Sequence, residues 1–186
     1  ADGTRGLPEI NYIAQRRLIE GLLASGALPR GSAVGIISST AGAPWREHLP
    51  RLKEFVAIAD WKGQAQWVAA NKTDNMRTTA DGYCFSKEAV CAYVASHALE
   101  FLKKGVRLNS ILPGPTDTPL ARANAAQWLG HATDYRAEAG GLKHLTPDEM
   151  AGPLIFLCSD AASGITGENM IVDQGHTASR ATGAFG

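Results

Sequence analysis

Three short strand-like runs, each preceded by a helical run, constrain this chain more than any other feature of its sequence. From Ile10 to Ser25 the apolar residues Ile10, Ile13, Leu18, Leu22 and Leu23 recur at helical spacing, and Gly26 stops the run. Ser32-Ala-Val-Gly-Ile-Ile-Ser38 then reads as a strand that is apolar on both faces, the mark of a buried parallel sheet. A second long helix covers Asp81 to Lys103, with Ala89, Val90, Tyr93, Val94, His97 and Phe101 on one stripe. Lys103, Lys104 and Gly105 close it as a basic last turn and a C-terminal glycine should. Val106-Arg-Leu-Asn-Ser-Ile-Leu112 is the second strand, ended by Pro113-Gly114-Pro115, and a small helix is expected around Leu120–Trp128. Thr146-Pro147-Asp148-Glu149 is a capping box that opens a further helix, whose apolar face takes in Met150, Leu154, Ile155, Leu157 and Cys158. Asn169-Met-Ile-Val-Asp173 is the third strand, and the small, polar tail from His176 is expected on the surface. Such alternation predicts an α/β fold, a parallel sheet with helices on its faces.

The stretch 44–80 breaks the rhythm. It holds Trp45, Trp61 and Trp67 and shows no strand-like alternation, while Leu49, Leu52, Phe55 and Val56 keep helical spacing. One or two helices inserted into a single domain, 1–186, account for it. Charge narrows the partners: 18 basic residues balance 18 acidic ones, so no concentrated basic face for nucleic acid is expected. No apolar run is long enough to span a membrane, and the first ten residues carry no signal-peptide pattern. Three cysteines (Cys84, Cys91, Cys158), with no C-x-x-C pair, fit a reducing compartment, and a cytoplasmic protein is expected. The five histidines share no metal-ligand spacing, so no metal is expected. Arg16-Arg17 reads as a solvated helix face, and Asn71-Lys72-Thr73 as an incidental match to the glycosylation pattern.

Chemistry concentrates at strand ends. Tyr83 and Lys87 stand four apart at the start of the long helix and share a face. An ammonium beside a phenol favours the phenolate and suits it to proton transfer nearer neutral pH. Ser39 follows the first strand at its carboxyl end, where open α/β sheets hold their ligands. Gly114 follows the second strand, where a glycine lets backbone approach a flat ligand closely.

In this order the motifs Ile36-Ile-Ser-Ser39-Thr-Ala-Gly42, Tyr83-Cys-Phe-Ser-Lys87, Gly105-Val-Arg-Leu-Asn-Ser-Ile-Leu-Pro-Gly-Pro-Thr-Asp-Thr-Pro119 and Gly167-Glu-Asn-Met-Ile-Val-Asp173 resemble the short-chain dehydrogenase/reductase family. Ile10-Asn11-Tyr12 looks like the start of its Asn-bearing helix, and the likeness runs from about Pro8 to Gly175. The resemblance implies a Rossmann-like doubly wound parallel sheet and a tetrad of Asn11, Ser39, Tyr83 and Lys87. Tyr83 would exchange the proton at the carbonyl or alcohol oxygen, and Ser39 would hold that oxygen. Lys87 would lower the Tyr83 pKa and bond the nicotinamide ribose, and Asn11 would anchor a proton-relay water. Pro113, Gly114, Thr116 and Thr118 would frame the nicotinamide. Ser39 is preferred to Ser38 by the family's Ser-x-x-Gly pattern. The cofactor would be NAD or NADP, the substrate a secondary or aryl alcohol or its ketone, and the assembly a homo-oligomer.

Ser39 and Tyr83 stand 44 positions apart, far more than in most members. A long interval here resembles the 3α-hydroxysteroid dehydrogenase/carbonyl reductase and coniferyl-alcohol dehydrogenase group. The insert is either a lid facing substrate or a packing module. Also expected from the family is a Thr-Gly-x-x-x-Gly-x-Gly turn for the pyrophosphate, and none occurs in the 186 residues. The chain therefore reads as the C-terminal two-thirds of such a domain. Two readings stay open: a dehydrogenase, or a fragment that binds a partner through an exposed sheet edge without catalysis. A relative that reduces enoyl groups is disfavoured by the Tyr83–Lys87 spacing and the position of Ser39.

Overall fold

The computed structural model describes residues 6–71, 82–123, 129–130 and 132–186. Its centre is a three-stranded parallel sheet in the order β1 (Ala33–Ile37), β2 (Arg107–Pro113), β3 (Asn169–Val172). Ala33 lies opposite Arg107 and Ile37 opposite Ile111, while Ser110 faces Asn169 and Pro113 faces Val172. Each strand falls within a residue of its expected place.

Side chains alternate across this sheet and sort the core into two layers. Ile36, Leu108 and Leu112 join the larger cluster with Val90, Val94 and Phe101 of α4 (Tyr83–Lys103). Ile111 joins the smaller cluster on the opposite face, with Met150 and Leu157 of α7 (Pro147–Cys158). Gly35 faces α7 so closely that a Cβ there would meet Leu154 Cδ1 at 2.6 Å. The capping box expected at Thr146 and Glu149 is formed. Arg107, largely buried, donates from its guanidinium to the carbonyls of Leu157 (2.6 Å) and Ser159 (2.8 Å), tying the end of α7 to β2.

The expected insert helices are α2 (Leu49–Val56) and α3 (Trp61–Ala70), preceded by a 3-10 segment, Thr40–Arg46. Phe55 is fully buried, 5.1 Å from the Phe85 ring of α4, and Trp67 stacks on Phe85 at 5.5 Å and 13°. Among the described residues the insert is therefore packed on α4. Residues 72–81, including Lys72, Thr73 and Asp81, lie outside them.

Five expectations fail. The first helix, α1 (Ala14–Ala24) with its leading π-turn Glu9–Ile13, buries Tyr12, Ile13 and Arg16, while Ile10, Leu18 and Leu22 are exposed. Arg16, expected in solvent, is 6% exposed; it donates to Val56 O (2.8 Å) and Ile58 O (3.2 Å) and pairs with Glu20 (2.7 Å). Periodicity fails here because the insert covers a polar side of the helix that no local pattern can announce. On α4 every residue from Cys84 to Val94 is buried, not one stripe, for the same reason. On α7, Ile155 is 67% exposed and Cys158 is exposed, although both belong to the expected apolar face. The tail is not merely surface: α8 (His176–Ala181) buries His176, and the Phe185 ring meets Tyr135 at 5.2 Å. The expected helix at Leu120–Trp128 is described as α5 (Pro119–Ala123), with 124–128 outside the described residues; α6 (Thr133–Glu138) follows.

Candidate active site

The first turn of α4 brings the chemistry to the carboxyl end of β1. Gly82 adopts the left-handed conformation (φ 71°) and turns the chain into the helix, so Tyr83 occupies the first helical position. The positive end of the helix dipole favours a phenolate there. Ser39 is the extended residue that caps the Thr40–Arg46 segment. Its hydroxyl oxygen accepts from Ala41 N–H (3.1 Å), and its side chain is a hydrogen-bond partner of Tyr83. Ser38 points elsewhere. It is 3% exposed, donates to the Lys87 carbonyl (2.8 Å) and lies 3.4 Å from Cys91 Sγ. Ser38 is thus committed to the backbone of α4, and Ser39 to the Tyr83 side chain.

Lys87 is 9% exposed and donates from Nζ to the Ile37 carbonyl (3.0 Å), at 5.7 Å from the Tyr83 ring centroid. Burial moves both groups in the direction of their neutral forms: it raises the Tyr83 pKa, against a smaller lowering by the Ser39 hydrogen bond, and it lowers that of Lys87. Both groups are desolvated, and the ammonium is directed to the strand carbonyl.

Asn11 sits in the π-turn, where Ala14 N–H reaches back to Glu9 O. Its amide donates to Ser86 Oγ (3.2 Å), and Ser86 in turn donates to the Tyr83 carbonyl (2.6 Å). Asn11 is thus fastened to the first turn of α4. Ser86 is an intermediary that sequence reasoning missed; its place between Tyr83 and Lys87 was the available signal. Gly42, the glycine of the Ser-x-x-Gly pattern, has a packing reason in the structure. A Cβ there would lie 2.7 Å from the Lys87 carbonyl oxygen, so the segment after Ser39 lies directly on the catalytic helix only because position 42 has no side chain.

Beyond β2 the remaining candidates are engaged in the chain itself. The Cβ direction of Gly114 is filled by Asp173 (2.7 Å), so smallness there serves packing between strand ends. Thr116 Oγ1 donates to Gly114 O (2.9 Å), and Thr118 Oγ1 accepts from Ala121 N–H (3.0 Å) at the start of α5. Pro113, which ends β2, and these residues lie at the same carboxyl edge of the sheet as Ser39. Among the described residues no group of three or more His, Cys, Asp and Glu side chains could hold a metal, and no helix is long and apolar enough to cross a membrane.

A family model described as enoyl-(acyl carrier protein) reductase matches residues 53–177. The chain is 31% identical over 172 residues to a coniferyl-alcohol dehydrogenase of Pseudomonas sp. (strain HR199 / DSM 7063), covering 89% of this chain and 63% of that protein. It is 32% identical over 172 residues to a 3-alpha-hydroxysteroid dehydrogenase/carbonyl reductase of Comamonas testosteroni, with the same coverage. The chain thus spans about 63% of the length of these curated relatives. Its fold matches the crystal structure of the 3-alpha-hydroxysteroid dehydrogenase from Pseudomonas sp. B-0831 complexed with NADH. The TM-score is 0.73 at 24% identity, over 99% of this chain and 71% of that one.

Proposed function

The chain belongs to the short-chain dehydrogenase/reductase family, and on that premise we propose that it carries the proton-transfer half of a nicotinamide-dependent alcohol dehydrogenase or ketone reductase. The observation that carries this reading is the hydrogen bond from Ser39 to Tyr83, beside Lys87, at the carboxyl end of β1. The nicotinamide, NAD or NADP, supplies or accepts the hydride when bound. The donors present suit its ribose end: Lys87 offers an ammonium and Tyr83 a phenol at the same strand end. No turn of this sequence provides the family's pyrophosphate cradle, so this chain's own residues account for the nicotinamide end alone.

In oxidation the substrate hydroxyl loses its proton to the Tyr83 oxygen; in reduction Tyr83 returns it. Ser39 donates to the substrate oxygen as charge develops there. Lys87, turned from the Ile37 carbonyl, stabilises the phenolate, and Asn11 holds the start of the relay that replaces the proton. Coniferyl alcohol and a 3α-hydroxysteroid are the probes the relatives suggest, assayed by the absorbance of reduced nicotinamide with each nucleotide. Tyr83→Phe is expected to lower turnover by roughly 10²–10⁴-fold with an unchanged melting temperature. Absence of turnover with both nucleotides and both alcohols, together with absence of nucleotide binding, would instead support the non-catalytic reading. That reading has its own observation: the outer edge of β1 has no partner strand among the described residues, and Ile37 beside it is 50% exposed. A homo-oligomer belongs to the proposal as well, through the exposed Leu99 and Leu102 of α4 that the insert leaves uncovered. Sedimentation at two concentrations tests it.

A further inference from the structure

Glu88, the residue after Lys87, has a side chain only 3% exposed, an unusual setting for a carboxylate on a helix otherwise lined with apolar and small residues. Oε2 lies 2.9 Å from Nδ1 of His48, whose side chain is 44% exposed. His48 is the residue immediately before α2 and closes the run that starts at Ser39. A buried carboxylate is tolerated only when its partner geometry is good, since desolvation alone costs several kcal/mol. The pair therefore spans two pieces of the site: the helix carrying Tyr83 and Lys87, and the segment carrying Ser39.

That segment transmits position. Between Ser39 and His48 lies a 3-10 helix containing Pro44 and the buried Trp45, with Arg46 4.4 Å above the Trp45 ring. At Gly42 it rests on the Lys87 carbonyl. The far end of α2 is held separately, by Arg16 donating to Val56 O. Arg16 at the C-terminal end of α2 complements the helix dipole.

We propose that Glu88 is a positioning residue for the reaction: through His48 it holds the Thr40–Arg46 segment, and with it Ser39, in register with Tyr83. The proposal rests on the dehydrogenase reading above. In the protein carrying this chain, assayed with NAD and coniferyl alcohol, Glu88→Gln lowers kcat roughly tenfold while KM stays within about twofold, because the Ser39 contact strengthens only as charge develops on the substrate oxygen. His48→Gln, at a half-exposed position that leaves folding intact, produces the same loss. The double variant is no worse than either single one, as coupled partners require. Amide exchange across residues 40–48 is faster in each variant whether or not the alcohol is turned over. A melting temperature that falls with kcat unchanged, losses that multiply in the double variant, or unchanged exchange across 40–48 overturns the proposal. Absence of wild-type turnover with both nucleotides and both alcohols, together with absence of nucleotide binding, overturns the dehydrogenase reading instead, and the exchange measurement then judges the Glu88–His48 pair by itself.

Discussion

At Gly42, Cys91 and Gly114 single atoms decide what the neighbourhood can be. A methyl at position 42 would press on the Lys87 carbonyl oxygen at 2.7 Å and the Ser38 hydroxyl at 2.9 Å, both in packed surroundings. Gly42→Ala is expected to cost about 1–3 kcal/mol of stability, read from denaturant unfolding, and to lower turnover by moving Ser39. Cys91 is fully buried, and burial pushes its thiol up to about 11 from an ordinary 9.0. With the folded value raised, its contribution to stability is complete below pH 9.0 and is lost as pH rises towards about 11, because only the unfolded chain releases the proton in that window. Unfolding free energies measured at about pH 8 and about pH 10 should fall by roughly 1 kcal/mol more in the wild type than in Cys91→Ala. Tyr12, pushed up to about 12 from 10.0 by burial, adds its own loss at still higher pH in both proteins.

Among the elements, α1 and α2 depend on each other through one guanidinium. Arg16 bonds Tyr12 Oη (3.1 Å) and two carbonyls at the end of α2, pairs with Glu20, and lies 5.3 Å from the Tyr93 ring centroid. Arg16→Met retains most of the volume but leaves those carbonyls unpaired, with a loss of about 2–4 kcal/mol. Thermal unfolding reads the loss, and faster amide exchange at Ala57 and Ile58 would localise it. Equal stability of the variant would show that the network is replaceable by packing. The rhythm of helix and strand was legible because each run is local: caps, glycine stops and apolar spacing need nothing beyond a few neighbours. Which face each helix buries was not legible for α1 and α4, since their covering partner lies far along the chain.

For the whole molecule, the sheet carries helices on its faces, and among the described residues the outer edge of β1 has no partner strand. Ile37 (50% exposed), Ile155 (67%) and Phe156 (39%) lie by the outer edge of β1 and the adjoining α7. A parallel edge with apolar side chains beside it recruits further strands. The 186-residue chain by itself is therefore expected to self-associate with rising concentration, and Ile37→Lys to suppress the light scattering that reports it. Scattering independent of concentration would mean the margin is already protected.

The sequence by itself determined the α/β class, the three strands and their parallel character and the capping box of α7, because each is written in spacing or in motif, and it nominated the set Asn11, Ser39, Tyr83 and Lys87. Tertiary structure alone decided that Ser38 is tied to the Lys87 carbonyl, and that Lys87 turns to the Ile37 carbonyl. It also decided that Gly114 makes room for Asp173 and that Arg16 is buried under the insert. These depend on which segments distant in sequence exclude water from one another. Local spacing carries no record of that.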